Sequence, residues 1–330
     1  MNTFTPAPGD TLHLRDAGSI VAAVPHLLGF IPDDSIVLLV LSGHELVMTA
    51  RFDLTPALAL PTGRLFGDLL RQSARLQGDA IVALLYGPRG RTRRARGLVR
   101  RGLAPWLDLT LVVDPAAGRW WTEDDPLSAP GQPLDPDPAV EDWADRGGYP
   151  VAPSRERLLD GLQPPSGARE DRLTALWAEV EARLASRPPL VGQAAMAAYL
   201  HRPASPWSEA DYVTAALLLR QPGLRDQLWA AATRGAARDL LGFWSEVVRH
   251  TPVAHRVVPL AVAGFLAWLA GQGALSAVCH EECLDLDPAA PVVGLLTTIR
   301  RHAIHPDAWE PAWARSAPGA RRPPEAALAA

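Results

Sequence analysis

Apolar positions along this chain switch early from a helical to an extended period. Ile20, Val21, Val24, Leu27 and Leu28 recur at spacings of three and four, which predicts a short helix with Ser19 as its N-cap and Gly29 turning left-handed at its end. Pro25 lies inside that stretch, removes an N–H and clashes with the carbonyl four residues back, so the helix is expected to begin late or to kink. Ile31-Pro32-Asp33-Asp34-Ser35 reads as a turn, because proline fixes φ and the Asp and Ser side chains bond local backbone. Ile36 to Leu41 is then apolar without alternation, the pattern of a strand covered on both faces. A second strand, Leu46 to Phe52, follows the turn Ser42-Gly43-His44-Glu45 closely enough to pair with it as a hairpin.

Beyond the hairpin the periods alternate. A helix is expected over Arg64 to Leu76, a strand over Ala80 to Tyr86, a second, arginine-rich helix from Thr92 to Gly102 and a strand over Leu109 to Asp114. After a lead-in over 1–17, residues 18–114 therefore predict an α/β domain with a mixed sheet containing a hairpin. Residues 115–153 are dense in Pro, Gly and Asp and predict an irregular excursion. From 154 to 305 the helical period is unbroken, with segments near 170–185, 190–201, 208–220, 224–234, 238–249, 256–270, 273–285 and 291–302. Helices of that length with short loops predict an all-α domain, either a helical bundle or a repeat-like stack, before a flexible tail over 306–330.

Composition narrows the chemistry. The 330 residues suffice for two domains, and the longest apolar runs fall short of the roughly 18 residues that cross a bilayer. With no basic-then-apolar leader, a cytoplasmic location without membrane attachment is expected, and Cys279 and Cys283 are too few for a disulfide framework. A net charge of −4 disfavours nucleic acid as a partner. There is no lysine: all 32 basic residues are arginine. A Walker phosphate loop, the protein-kinase strand lysine and Schiff-base chemistry in their usual forms are thereby excluded.

Candidate site residues gather at predicted strand ends and adjoining loops, where α/β proteins place ligands: Asp33, Asp34, Ser35, Arg51, Asp53, Tyr86, Arg119 and Arg155. Paired carboxylates beside an arginine suit acid/base or metal chemistry, and equally suit a turn cap with a structural ion pair. Trp120 and Trp121 are adjacent on one extended stretch and must face opposite ways; if one is buried, the other lines a surface or pocket, and with Arg119 it is a candidate contact. The arginines at 89, 91, 93, 94, 96, 100 and 101 read as a solvated helix face, with phosphate binding at the helix start as the alternative. Cys279-His280-Glu281-Glu282-Cys283 puts two thiols on one helix face, but with no second cysteine pair it reads as packing and no metal site is assigned. Trp177, Trp229, Trp244 and Trp268 read as helix anchors.

The segment Ala22-Ala23-Val24-Pro25-His26-Leu27-Leu28-Gly29-Phe30-Ile31-Pro32-Asp33-Asp34-Ser35-Ile36-Val37 resembles an actinobacterial family catalogued as domain of unknown function 4192. Arg51-Phe52-Asp53, Arg119-Trp120-Trp121, Pro153-Ser154-Arg155, Leu224-Arg225-Asp226, the run Ala267 to Leu275 and Asp287-Pro288 continue the resemblance. Members often carry cysteines just after the paired tryptophans and an aromatic residue soon after the Asp-Pro; this chain has neither. The resemblance brings no activity, cofactor or catalytic residue with it. Two functions are therefore carried forward: a non-catalytic module that binds a small anionic ligand or a protein partner, and a hydrolase or transferase of phosphorylated or nucleotide-like molecules with Asp33 and Asp34 as metal or base groups and Arg51 or Arg119 as anion clamp.

Overall fold

A computed structural model describes residues 12–147, 150–186, 188–202, 204–302 and 304–309. The chain divides into two compact units, Met1–Leu158 and Leu159–Ala330.

The first unit opens with α1 (Ala17–Leu28). Its N-cap is Asp16 rather than Ser19: the Asp16 carboxylate accepts from the Ser19 amide at 2.8 Å, and the Ser19 hydroxyl in turn accepts from the Asp16 amide at 3.1 Å. This reciprocal pair holds the start of the helix three residues ahead of the expected cap, so Pro25 does not delay it. Gly29 ends the helix at φ 78°, the left-handed conformation expected of it. The hairpin follows as β1 (Ser35–Ser42) and β2 (Glu45–Asp53). Next come α2 (Leu54–Leu58), a short turn of helix absent from the expected pattern, and α3 (Thr62–Arg75). β3 (Ala80–Tyr86), α4 (Arg89–Leu103) and β4 (Leu107–Asp114) complete a strand–helix–strand unit. The arginine-rich helix starts three residues before Thr92, because Pro88 fits the position ahead of its first turn.

The stretch expected to be irregular continues the sheet. β5 (Arg119–Thr122) and β6 (Gln132–Pro133) lead to α5 (Pro138–Gly147), so the six strands run in the order β2-β1-β3-β4-β5-β6. Only β3 and β4 are parallel; every other neighbouring pair is antiparallel. Pro133 is tolerated because β6 is an edge strand, where a missing N–H breaks no ladder. One face of the sheet, with Ile36, Leu38 and Val40 of β1 and Ile81, Ala83 and Leu85 of β3, packs on Leu54 of α2, Phe66 and Leu69 of α3 and Leu98 and Val99 of α4. Alternation turns Val37, Leu39, Val82 and Leu84 to the opposite face, all of them buried. Burial on both faces explains the unbroken apolar runs of β1 and β3.

The second unit is helical: α6 (Ala168–Ala185), α7 (Pro189–His201), α8 (Glu209–Leu218), α9 (Pro222–Ala231), α10 (Arg234–Arg249), α11 (Val257–Leu269), α12 (Gly273–Leu286) and α13 (Pro291–His302). The break expected near residue 235 falls earlier because the Thr233 hydroxyl caps α10 by accepting from the Ala236 amide. Trp177, Trp229, Trp244 and Trp268 all join one buried core, as their helical spacing predicts. α11 is buried on every side from Pro259 to Leu269. It lies tight against α12: a Cβ on Gly264 would stand 2.9 Å from the Cys279 Cβ, so glycine sets the approach of the two helices. Among the described residues no helix is long and apolar enough to cross a membrane.

Candidate functional site

Strand pairing brings distant residues into one line. Asp53 pairs with Ser35, Ser35 with Tyr86, Tyr86 with Val113, Val113 with Trp120 and Trp120 with Gln132. The six form a single row across all six strands, at the end of the sheet where β3 and β4 finish. Residues paired across a ladder point to the same face. Four of the sequence candidates, Asp53, Ser35, Tyr86 and Trp120, therefore share one surface, the one on which α1 lies.

At one end of the row the polar groups satisfy one another. Arg51 sits on the same face of β2, paired with Val37. Its Nε donates to the Ser35 Oγ at 3.0 Å and its terminal nitrogen reaches the Asp53 carboxylate at 2.7 Å. The Ser35 hydroxyl donates to the Asp33 carbonyl at 2.5 Å. The guanidinium stands over the Phe30 ring, 5.6 Å from its centroid, and only 12% of the Arg51 side chain is exposed. Phe30 is fixed by the strand-like contact of residues 29–31 with Ala152, whose amide donates to the Gly29 carbonyl at 2.8 Å while its carbonyl accepts from Ile31 at 3.0 Å. Beyond it, the Ser154 hydroxyl bonds Glu156 at 2.6 Å. That bond, then the backbone and the charges of Arg155 and Arg51, hold the Glu156 carboxyl below its ordinary range. Arg51, Ser35 and Asp53 thus form a structural clasp.

At the other end the row floors a cleft. Tyr86, Val113 and Trp120 form its base, Gly18, Ala22 and Pro25 of α1 one wall, and Pro133 to Pro138 the other, enclosing about 870 Å³. That volume lies in the range of small-molecule sites. Trp120 is half-buried, and a Cβ on Gly18 would come within 3.8 Å of its ring. Tyr86 is 2% exposed, and its hydroxyl has no hydrogen-bond partner among the described residues. Burial drives its pKa far up, so it stays a phenol. An unpaired hydroxyl in such surroundings costs about 1 to 3 kcal/mol. The rim carries Asp16, Asp135, Asp137 and Glu141, with His26 Nε2 lying 3.6 Å from Glu141. Asp16 and Asp137 cap the α1 and α5 starts, Asp137 accepting from the Ala139 amide at 2.8 Å.

The remaining candidates lie elsewhere. Asp34, at φ 42°, accepts from Arg91 at 2.9 Å and from the Thr55 hydroxyl at 3.2 Å, and its carbonyl accepts from the Leu54 amide, tying the turn to α2 and α4. Asp33 is exposed and its carboxylate caps the Asp34 amide. Trp121 faces away from Trp120, as alternation requires: it is 8% exposed, donates to the Ala129 carbonyl at 3.0 Å and lies under the Arg89 guanidinium. Arg119 is exposed and bonds the Gly131 carbonyl. Neither Asp33, Asp34, Arg51, Asp53, Arg119 nor Arg155 lines the cleft. Of the arginine series on α4, Arg89, Arg91, Arg96 and Arg100 bond local carbonyls or carboxylates, while Arg93, Arg94 and Arg101 are exposed.

In the second unit Cys279 and Cys283 are free and buried, and burial pushes the Cys283 thiol up to about 12. His280 between them faces α13. Its Nε2 lies 2.8 Å from the Thr297 hydroxyl, which donates to the Val293 carbonyl, and its Nδ1 accepts from Arg300 at 3.2 Å, so the ring is neutral with its proton on Nε2. Burial first, then the Arg300 charge, lowers its pKa to about 4. Among the described residues no group of three or more His, Cys, Asp and Glu is placed to hold a metal ion.

Sequence reasoning missed the α1 side of the cleft and its carboxylate rim. The usable signal was present in Asp16, an N-cap ahead of a small-residue helix face, and in Asp135 and Asp137 of the Pro-Asp run. A family model described as Domain of unknown function (DUF4192) matches residues 18–307. No curated protein and no solved structure matches the chain.

Proposed function

We propose that this chain, which belongs to the DUF4192 family, is a ligand-binding module whose site is the cleft floored by Tyr86, Val113 and Trp120. One observation carries the proposal: Tyr86, whose buried hydroxyl has no partner among the described residues, lines a cleft of about 870 Å³. Buried polar groups are almost always paired, and a ligand polar atom would satisfy this one. An open, half-buried tryptophan beside it supplies contact area of the kind that anchors ligands. The hydrolase reading has less support, because Asp33, Asp34, Arg51 and Arg119 are engaged separately, by a backbone amide, Arg91, Asp53 and a backbone carbonyl, and none of them lines the cleft. The free, buried cysteines fit the cytoplasmic setting that the sequence suggests.

The test is ligand-observed NMR of a fragment library against the purified chain, repeated with Tyr86→Phe and Trp120→Leu. The expected result is a set of hits weakened by Tyr86→Phe and lost in Trp120→Leu, while both variants melt cooperatively. Hits indifferent to both substitutions contradict the assignment.

A further inference from the structure

The charges around the cleft bear on what enters it. Among its lining residues are four carboxylates, Asp16, Asp135, Asp137 and Glu141, and a single basic side chain, His26, already opposite Glu141. Among the described residues no arginine lines it, in a chain whose every strong base is arginine. Helix starts usually favour anions, and both α1 and α5 begin at this rim. Here each start is occupied by the carboxylate of its own N-cap, Asp16 or Asp137, so an incoming anion would meet negative charge instead of open amides. The floor points the same way: the half-buried Trp120 lines it, and tryptophan is the side chain whose ring attracts cations most strongly. Deeper in lies the buried Tyr86, whose neutral hydroxyl has no partner among the described residues.

Resting on the ligand-binding reading above, we infer that the ligand is an organic cation: an amine held between Trp120 and the carboxylate rim, on an apolar body whose far end presents a hydrogen-bonding oxygen or nitrogen to the Tyr86 hydroxyl. Pro25 and Pro133 make the sides, and Val113 the floor, that such a body covers. Recognition is non-covalent and changes no bond.

A charge-balanced fragment library tests this, each apolar scaffold being present as its amine, its amide and its carboxylate. Binding is read by ligand-observed NMR on the full chain, with Trp120→Leu, Tyr86→Phe and Asp135→Asn as variants and melting as the folding control. Amines are expected to bind about tenfold tighter than their carboxylate counterparts, with the preference reduced by Asp135→Asn and by added salt. Equal or tighter binding of carboxylates, lost in Trp120→Leu, overturns the cation assignment while leaving the cleft as the site. Hits from any class that survive Trp120→Leu and Tyr86→Phe unchanged overturn both. Tyr86→Phe removes one oxygen and keeps the ring, so the test does not depend on Trp120→Leu being folded.

Discussion

The two ends of one row of paired residues behave differently. Asp53, Ser35 and the adjacent Arg51 close on each other in bonds of 2.7 and 3.0 Å, over a phenylalanine held in place by Ala152. Tyr86 and Trp120, one and three strands further along, are left with a hydroxyl unpaired among the described residues and a half-buried ring. Chemically the first end looks more like an active site, with its carboxylates, serine and arginine. Physically it is the less available, since its groups satisfy one another. Unmet hydrogen-bonding capacity beside open volume is the better marker of a site than a density of charged residues.

This contrast fixes the expected outcomes of substitution. The largest belongs to the clasp: Arg51→Met removes the guanidinium's bonds to the Ser35 hydroxyl and the exposed Asp53 carboxylate and its seat on Phe30, and is expected to cost about 2 kcal/mol, several degrees in thermal melting, with fragment binding at the cleft unchanged. Gly131→Ala comes next. Gly131 has φ 75°, and a Cβ there would lie 2.5 Å from the Trp121 ring, so about 1 to 2 kcal/mol of destabilisation is expected, with weaker cleft binding because Gln132 and Pro133 follow it directly. Cleft binding that persists undiminished would show the β6 edge to be independent of the floor.

Acidification separates the clasp more finely. The folded Glu156 carboxyl titrates below its ordinary value of 4.5, so the folded state holds fewer protons than the unfolded chain in that range. Its contribution is complete above pH 4.5 and is lost as pH falls through the folded pKa; being exposed, it is worth less than about 1 kcal/mol. Glu156→Gln should flatten that limb in acid melting curves. His280 of the second unit acts at higher pH: the unfolded chain takes up a proton near 6.5 that the folded ring refuses until about 4, so its stabilisation declines across that interval. His280→Gln is expected to remove the pH 6.5 to 4 slope without touching the Glu156 limb. The smallest stability change is expected of Tyr86→Phe, neutral or up to about 1 kcal/mol stabilising, because it deletes a buried hydroxyl that bonds nothing among the described residues.

Much of the sheet was legible because β1, β2, β3 and β4 are runs of apolar residues between clear turn signals. β5 and β6 were not, since four residues and two residues, one of them proline, give no period to read. Asp16 and Ser19 are equally good caps by residue type, and what decides between them is the reciprocal pair of bonds that makes Asp16 the cap. The opposition of Trp120 and Trp121 followed from alternation alone. What no local pattern contains is register: that Ser35, Tyr86 and Trp120 stand in line depends on pairings between residues scores of positions apart. The carboxylates of Asp33 and Asp34 drew attention for their type, and the structure engages them in capping and in tying the turn down.

The central claim, that binding belongs to the cleft end of the row and stability to the clasp end, is tested most directly by measuring fragment binding and melting temperature together on Tyr86→Phe and Arg51→Met. The account predicts that Tyr86→Phe weakens binding at an unchanged or slightly raised melting temperature, while Arg51→Met lowers the melting temperature and leaves binding intact. Binding lost in Arg51→Met and retained in Tyr86→Phe, at comparable stability, would contradict it.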